Sequence, residues 1–211
     1  GGRDNNANCG FAFVGGGFCN TSSGCASSTI SGSYNTSSGY YSNVAGGYLN
    51  TASADYSVIG GGHSNIASGC HAFIGVGDFN SATSYQSIVV GGCCNVSCNN
   101  FATIVGGYVN TASGTYSFIG GGRGNTATNN FGYIGGGRAN TSSSVYATIG
   151  GGLANTACGS FSTISGGYFN TASGYGYSFI GGGLGNTTSA FASTIGGGRV
   201  NTASGAYSFI G

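Results

Sequence analysis

The chain has 211 residues, 47 of them Gly, and it contains no Pro, Met or Trp. Collagen needs Gly at every third position together with Pro, so this Gly content does not indicate a collagen helix. Four Lys or Arg and three Asp or Glu side chains give a net charge of +1; this excludes surfaces for nucleic acid or anionic membranes, which need clustered basic residues.

One phrase is repeated along the whole chain. Asn recurs every fifteen residues from Asn5 to Asn170 and then, after one extra residue, at Asn186 and Asn201. A fixed short period predicts a solenoid built from stacked coils. We therefore predict a single all-β repeat domain over residues 1–211, uncapped at both ends. Its fold class is a parallel β-solenoid, or β-roll, of fourteen 15-residue coils with two short strands per coil.

Each coil is numbered so that the recurring Asn is position 5, and a column is the set of residues at one position in successive coils. The segment Asn110-Thr111-Ala112-Ser113-Gly114 is typical of the first strand. Alternate strand residues share a face, which places Asn and Ala inward and Thr and Ser outward. Inward Asn side chains should bond the turn backbone and the next Asn. This structural Asn column comprises Asn20, Asn35, Asn50, Asn65, Asn80, Asn95, Asn110, Asn125, Asn140, Asn155, Asn170, Asn186 and Asn201.

The second strand carries Ile or Val at position 14 in nearly every coil and a small residue at position 12. These positions predict the inward face, and the aromatic residues at positions 11 and 13 then face outward. A long aromatic stripe on a lone chain is an aggregation hazard, so we predict that it mediates self-association. The alternative is that the aromatic residues fill the core and Ile faces outward. The stripe comprises Tyr41, Tyr56, Phe101, Tyr116, Phe118, Phe131, Tyr133, Tyr146, Phe161, Tyr177 and Tyr207.

Runs of Gly such as Gly120–Gly122 predict a tight corner after the second strand. Position 3, which follows, is variable and carries all four Arg, so it predicts a ridge that faces solvent. Two irregularities interrupt the period. An extra residue before Ile30 should be offset by one missing after it, and the extra residue in Tyr175-Gly176-Tyr177 should form a bulge.

Residues that carry chemistry are few and scattered. The three Asp side chains lie in three different coils, which argues against paired acid and base catalysis and against calcium-loaded repeats. His63 and His71 have no nucleophile and orienting acid around them. Cys93, Cys94 and Cys98 are too few for a closed zinc site in one chain. The sequence therefore predicts no enzyme, no catalytic residues, no cofactor and no metal.

The chain contains eight Cys, which is compatible with an oxidising, extracellular setting. Cys9 and Cys25 are one coil apart and one position off, within disulfide reach of about 5–6 Å. No apolar run approaches the roughly 18 residues that span a bilayer, so no membrane insertion is expected. We predict a location outside the cell or at a cell or virion surface.

The phrases Tyr-Ser-Phe-Ile-Gly-Gly-Gly at 116–122 and Asn-Thr-Ala-Ser-Gly at 110–114 resemble the head repeats of trimeric autotransporter adhesins of the YadA type, also found in phage and viral fibre proteins. The resemblance covers essentially the whole chain. It implies a parallel β-roll, trimeric in that family, that works as an extracellular adhesive or spacer rod. The present chain departs from the family in its coil length, in its Asn column and in its Gly triplets.

The expected function is that of a non-enzymatic extracellular structural or adhesive fibre component. It would assemble laterally or end to end into a rod or filament, with itself as partner and with surface glycans or a host surface as further partners. The alternative is ice binding through the outward ladder of Thr111/Ser113, Thr171/Ser173 and Thr202/Ser204. Ile66, Val96 and Cys98 interrupt that ladder. A carbohydrate-active β-helix enzyme would need acids grouped in one groove.

Overall fold

The computed structural model describes all residues, 1–211, and they form an all-β chain. The fold is a parallel β-solenoid of about fourteen coils with two short strands in each coil, which confirms the fold class predicted from the 15-residue period. Residues 1–107 and residues 108–211 form two compact units, described separately below as the first and second unit.

In the first unit, alternate strands build two parallel sheets, and each strand pairs in register with the strand one coil away, as Ile59 does with Ile74. The first sheet contains β1 (Asn6–Ala7), β3 (Thr21–Ser22), β5 (Thr36–Ser37), β7 (Thr51–Ala52), β9 (Ile66–Ala67), β11 (Ser81–Ala82) and β13 (Val96–Ser97). The second sheet contains β2 (Phe13–Val14), β4 (Ser28–Thr29), β6 (Asn43–Val44), β8 (Val58–Ile59), β10 (Phe73–Ile74), β12 (Ile88–Val89) and β14 (Thr103–Ile104).

The second unit repeats this arrangement, with Ile119 opposite Ile134. Its first sheet contains β15 (Thr111–Ala112), β17 (Thr126–Ala127), β19 (Thr141–Ser142), β21 (Thr156–Ala157), β23 (Thr171–Ala172), β25 (Thr187–Thr188) and β27 (Thr202–Ala203). Its second sheet contains β16 (Phe118–Ile119), β18 (Tyr133–Ile134), β20 (Thr148–Ile149), β22 (Thr163–Ile164), β24 (Phe179–Ile180), β26 (Thr194–Ile195) and β28 (Phe209–Ile210).

The core of each unit is thin, and most coils contribute one Ile or Val, a few small residues and the recurring Asn. Ile119, Ile134 and Ile149 are fully buried, and so are Ala112 and Ala127. Burial of each Ile side chain contributes roughly 1.5–3 kcal/mol. The alternative in which aromatic residues fill the core and Ile faces outward is therefore wrong, because the space between the two sheets is already filled by these residues.

Small hydroxyl residues at position 12 are part of the core, and several of their hydroxyl groups bond a nearby backbone carbonyl, whereas the buried Oγ atoms of Ser117, Ser162 and Ser178 have no hydrogen-bond partner. Ser42 Oγ donates to the carbonyl oxygen of Gly39 at 2.8 Å, and Ser193 Oγ does the same to Ala190 at 2.8 Å. A buried hydroxyl costs little stability when its hydrogen bond is made. Ser therefore replaces Ala at little cost where this bond is made, and at a higher cost in the coils where the hydroxyl has no partner.

The second coil contains no insertion, so the prediction of an extra residue before Ile30 is wrong. Thr29 occupies position 14, pairs with Val14 and Val44, and is fully buried. Its hydroxyl lies 2.9 Å from Ser37 Oγ, which satisfies it inside the core. Ile30 is 48% exposed. Strand pairing on both sides keeps the 15-residue register, and the hydroxyl network makes Thr acceptable where Ile is usual.

The real extra residue, Tyr175, lies in the corner between β23 and β24, and its side chain is 95% exposed. Strand pairing resumes beyond it with Thr163 opposite Phe179 and Thr171 opposite Thr187. The extra residue was expected to form a bulge in a strand, but it widens a corner between two strands instead. A corner accommodates the residue more easily because no ladder hydrogen bond has to be broken there.

Each coil also contains a third paired column at position 3. Single-residue parallel bridges join Arg123 to Arg138 and Arg138 to Leu153, and an equivalent series begins with Arg3 and Phe18 in the first unit. The variable ridge predicted from the sequence thus has its own backbone hydrogen bonds, although its side chains vary freely.

Candidate interaction surfaces

The Asn column lies inside the solenoid and joins successive coils. Asn125 Nδ2 donates to the carbonyl oxygens of Gly121 and Gly137, both at 2.9 Å. Its Oδ1 accepts the backbone N–H of Asn140 at 3.0 Å. Asn20 and its equivalents through Asn186 are fully or almost fully buried, and Asn201 at the last coil is half-buried. This column is a scaffold, and it holds the outward columns at a fixed spacing.

Gly at position 2 makes the close approach between coils possible. Gly122 has φ +88°, and a Cβ atom built on it would lie 2.0 Å from the carbonyl oxygen of Gly137. Residues with a side chain avoid both this conformation and this contact. The backbone carbonyls that accept the Asn amides are thereby brought within reach.

The aromatic residues at position 11 lie at a corner and not within the second strand. Tyr146 has φ +58°, and its backbone N–H donates to Asn130 O at 3.1 Å. A left-handed conformation at a non-Gly residue costs free energy and persists because the paired strands on both sides fix the corner. The aromatic side chains project outward from it. Position 11 from Tyr116 to Tyr177, together with its equivalents in both units, is called the aromatic column below.

In the second unit the aromatic column forms a continuous stack of rings. The ring centroids of Tyr116 and Phe131 are 5.2 Å apart, those of Phe131 and Tyr146 4.7 Å, those of Tyr146 and Phe161 4.9 Å, and those of Phe161 and Tyr177 5.0 Å. The ring planes are within 12° of parallel. Each ring keeps 41–58% of its surface exposed.

The other members of the predicted stripe occupy similar places. Tyr41 and Tyr56 stack at 5.6 Å at position 11, and Phe118 and Tyr133 stack at 5.3 Å at position 13. Nine of the eleven side chains are exposed, and the half-buried ones are Phe101 and Phe118. The structure therefore places the stripe on two neighbouring outward columns, and its role in association stays a prediction.

The outward Thr residues of the first sheet differ between the two units. In the second unit every coil has Thr at position 6, and each of these residues pairs directly with the next. This Thr column comprises Thr111, Thr126, Thr141, Thr156, Thr171, Thr187 and Thr202. In the first unit the column is interrupted by Asn6, Ile66, Ser81 and Val96.

Charged and thiol groups are few. All four Arg lie on the position 3 ridge, where Arg123 sits over the Tyr108 ring at 5.4 Å. Cys9 and Cys25 form a disulfide with their Cα atoms 5.1 Å apart. Cys93 Sγ lies 2.9 Å from Cys94 Sγ. That contact is the larger cause, and partial desolvation the smaller one, of a rise in the pKa of Cys93 to about 11.

No group of three His, Cys, Asp or Glu side chains is close enough to hold a metal ion. His71 stacks on Tyr56 at 4.7 Å, and Asp55 Oδ1 accepts the backbone N–H of Tyr40 at 2.9 Å. The chain forms no long apolar helix of the kind that crosses a membrane.

One groove of about 330 Å³ lies on the first unit between the columns at positions 11 and 13. It is lined by His71, Phe73, Gln86, Ile88, Phe101 and Thr103. The repeat pattern of the sequence does not predict this groove. The signal for it is Gln86, the only Gln in the chain, which occupies a position where most coils have an aromatic residue.

The comparisons with known proteins do not add a family. No family model matches the chain, and no curated protein sequence matches it.

Proposed function

We propose that this chain is a non-enzymatic structural or adhesive fibre component that associates laterally with copies of itself. The observation that carries this proposal is the five-ring stack from Tyr116 to Tyr177, which leaves about half of each ring exposed to water. Exposed apolar surface that is contiguous over several coils marks an interaction site more often than isolated apolar residues do.

A second copy of the chain fits this surface because it presents rings at the same spacing. Each coil contributes one ring, so two columns can meet in register along their length. Aromatic pairs contribute roughly 0.5–1.5 kcal/mol each beyond the area they bury. No charged residue belongs to the stack, and the Arg residues of this unit, Arg123, Arg138 and Arg199, lie on the position 3 ridge. Repulsion between copies at the stack is thus small.

The resemblance to YadA-type head repeats supports an extracellular or surface location and a trimer as the assembled form. Lateral contact along an aromatic column is compatible with a trimer and also with a wider bundle or filament.

The test is to replace three central rings by Gln, in the variant Phe131→Gln/Tyr146→Gln/Phe161→Gln. Gln is a suitable replacement because Gln86 occupies the same left-handed corner naturally, with φ +50°. We expect wild-type protein to sediment as an oligomer or to form filaments in electron microscopy, and the triple variant to sediment as a monomer. The matched control is Leu153→Gln on the ridge, which should assemble like wild type. A monomeric wild type, or a triple variant that assembles normally, would refute the proposal.

A second candidate function is ice binding, and the uninterrupted Thr column of the second unit favours it. Parallel strands place identical side chains about 4.8 Å apart across the sheet, and alternate residues about 6.6 Å apart along a strand. A regular lattice of hydroxyl and methyl groups near these spacings is comparable to the oxygen spacings on faces of hexagonal ice. The interruptions at Ile66, Val96 and Cys98, which weaken the ladder in the sequence, all lie in the first unit.

Three further features of the Thr column suit an ordered water layer. None of its seven hydroxyl groups makes a hydrogen bond within the chain, so all of them are available to water. Thr is β-branched and has few allowed side-chain rotamers, which keeps the hydroxyl and methyl groups in fixed places. The column also carries no charge.

Ice binding is tested by thermal hysteresis and by partitioning of the protein into a growing ice front. The variant Thr141→Tyr/Thr156→Tyr disrupts the column at its centre and should lose most of either activity. The control Thr148→Tyr/Thr163→Tyr makes the same change on the outward face of the second sheet and should retain it. Absence of activity in the wild-type protein, or equal loss in both variants, rules this candidate out.

A further inference from the structure

The aromatic column of the first unit changes character at Gln86. Tyr41 and Tyr56 stack at 5.6 Å and Tyr56 and His71 at 4.7 Å, so three rings lie in a row. Gln86 takes the next corner with the same left-handed backbone, but it supplies an amide and no ring. The groove of about 330 Å³ lies at this interruption.

The groove combines apolar walls with uncommitted polar groups. Phe73, Ile88 and Phe101 supply the apolar surface. Gln86 Nε2 donates to the hydroxyl oxygen of Tyr85 at 3.3 Å, which leaves the amide oxygen as an acceptor. The His71 imidazole and the Thr103 hydroxyl make no hydrogen bond within the chain.

We propose that this groove binds one neutral hexopyranose residue of a glycan. A pyranose ring has apolar C–H faces that pack on aromatic rings, and its edge carries hydroxyl groups that bond amide, imidazole and hydroxyl side chains. The volume is at the lower end of the range for small-molecule sites, which suits one sugar ring.

Other ligand classes fit the groove less well. No Asp, Glu, Lys or Arg lines it, so a charged ligand would lose hydration without gaining a counter-charge. An apolar side chain of a peptide would pack on Phe73 and Ile88, but it would bury Gln86 and Thr103 without hydrogen-bond partners, which is unfavourable.

This inference rests on the proposed function, because an open single-sugar site is weak by itself. Association of several chains places several grooves on one particle, and the combined binding of a branched or surface-attached glycan then exceeds that of one groove by orders of magnitude. The groove therefore supplies the adhesive part of a structural or adhesive fibre, and the aromatic column supplies the assembly.

The experiment is saturation-transfer NMR of the full chain with the methyl glycosides of glucose, galactose, mannose and N-acetylglucosamine. We expect at least one glycoside to receive saturation and to give a saturable titration. Gln86→Tyr restores the ring that most coils carry at this position and fills the groove, so it should abolish binding. Thr103→Val removes one hydrogen bond and should weaken binding about threefold to tenfold. The matched control Thr148→Val, at the same position of the second unit, should bind like wild type.

Three results would overturn the inference: no glycoside binds, Gln86→Tyr binds as well as wild type, or N-acetyltyrosinamide saturates the groove while the glycosides do not. Sedimentation of the same samples separates this outcome from that of the assembly proposal. A monomer that binds a glycoside refutes assembly alone, and an oligomer that binds none refutes the groove alone.

Discussion

Replacement of Asn125 by Ala tests whether the buried Asn column holds the coils together. The Asn125 side chain donates to two backbone carbonyls and accepts one backbone N–H, with distances of 2.9, 2.9 and 3.0 Å. Ala leaves the buried Asn140 N–H and the Gly121 carbonyl oxygen without these partners, whereas the Gly137 carbonyl oxygen keeps its bond from the Arg123 N–H at 2.9 Å. Each unsatisfied buried group costs about 1–3 kcal/mol. We expect a loss of about 2–4 kcal/mol in the free energy of unfolding, because two groups lose their partners and effects within one network are not fully additive.

Urea denaturation followed by far-UV circular dichroism measures this loss as a shift of the midpoint. The control is Thr126→Ser at the next residue, whose side chain faces outward, and it should change stability by less than about 0.5 kcal/mol. Asn125→Asp keeps the shape but replaces the amide donor by a carboxylate, so it should destabilise the fold at neutral pH as strongly as Ala does.

Hydrogen exchange locates the effect within the coil stack. The backbone N–H of Asn140 donates to Asn125 Oδ1, so its exchange should accelerate in Asn125→Ala more than exchange of amides several coils away. A loss of stability below about 1 kcal/mol, or an unchanged exchange rate at Asn140, would show that the Asn column does not have the proposed role.

Three further changes test other parts of the structure. Gly122→Ala should lower stability by about 3 kcal/mol or prevent folding, because its φ is +88° and a Cβ would meet a backbone carbonyl at 2.0 Å. Gly136→Ala is the control, because a Cβ at that position meets open space, and thermal melts should show little change. Ile30→Ser should change the melting temperature little because Ile30 is 48% exposed. A large drop in the melting temperature would instead indicate that Ile30, and not Thr29, occupies the core position of this coil. Cys93 has a pKa raised to about 11 by its contact with Cys94, so little thiolate is present at pH 8 and its alkylation by iodoacetamide should be slow. Cys94→Ala removes this contact and should accelerate the alkylation of Cys93, which mass spectrometry follows.

Part of this structure follows directly from the sequence. The spacing of the Asn residues determines the coil length, and Ile at position 14 with Ala at position 7 determines which faces turn inward. Alternation along a strand is sufficient for these assignments because neighbouring strand residues point to opposite sides. The inward Asn is also predictable, since a buried amide repeated in every coil can satisfy its hydrogen bonds on the turn backbone and on the next Asn.

The tertiary structure decided what lies at the corners, where alternation no longer applies. Each strand has two residues, so Tyr146 falls outside it and projects from a left-handed corner that the paired strands impose. Thr29 enters the core and Ile30 leaves it, because backbone pairing maintains the register and a neighbouring hydroxyl satisfies Thr29. The groove at Gln86 depends on three coils at once, so it became visible only when the coils were stacked in space.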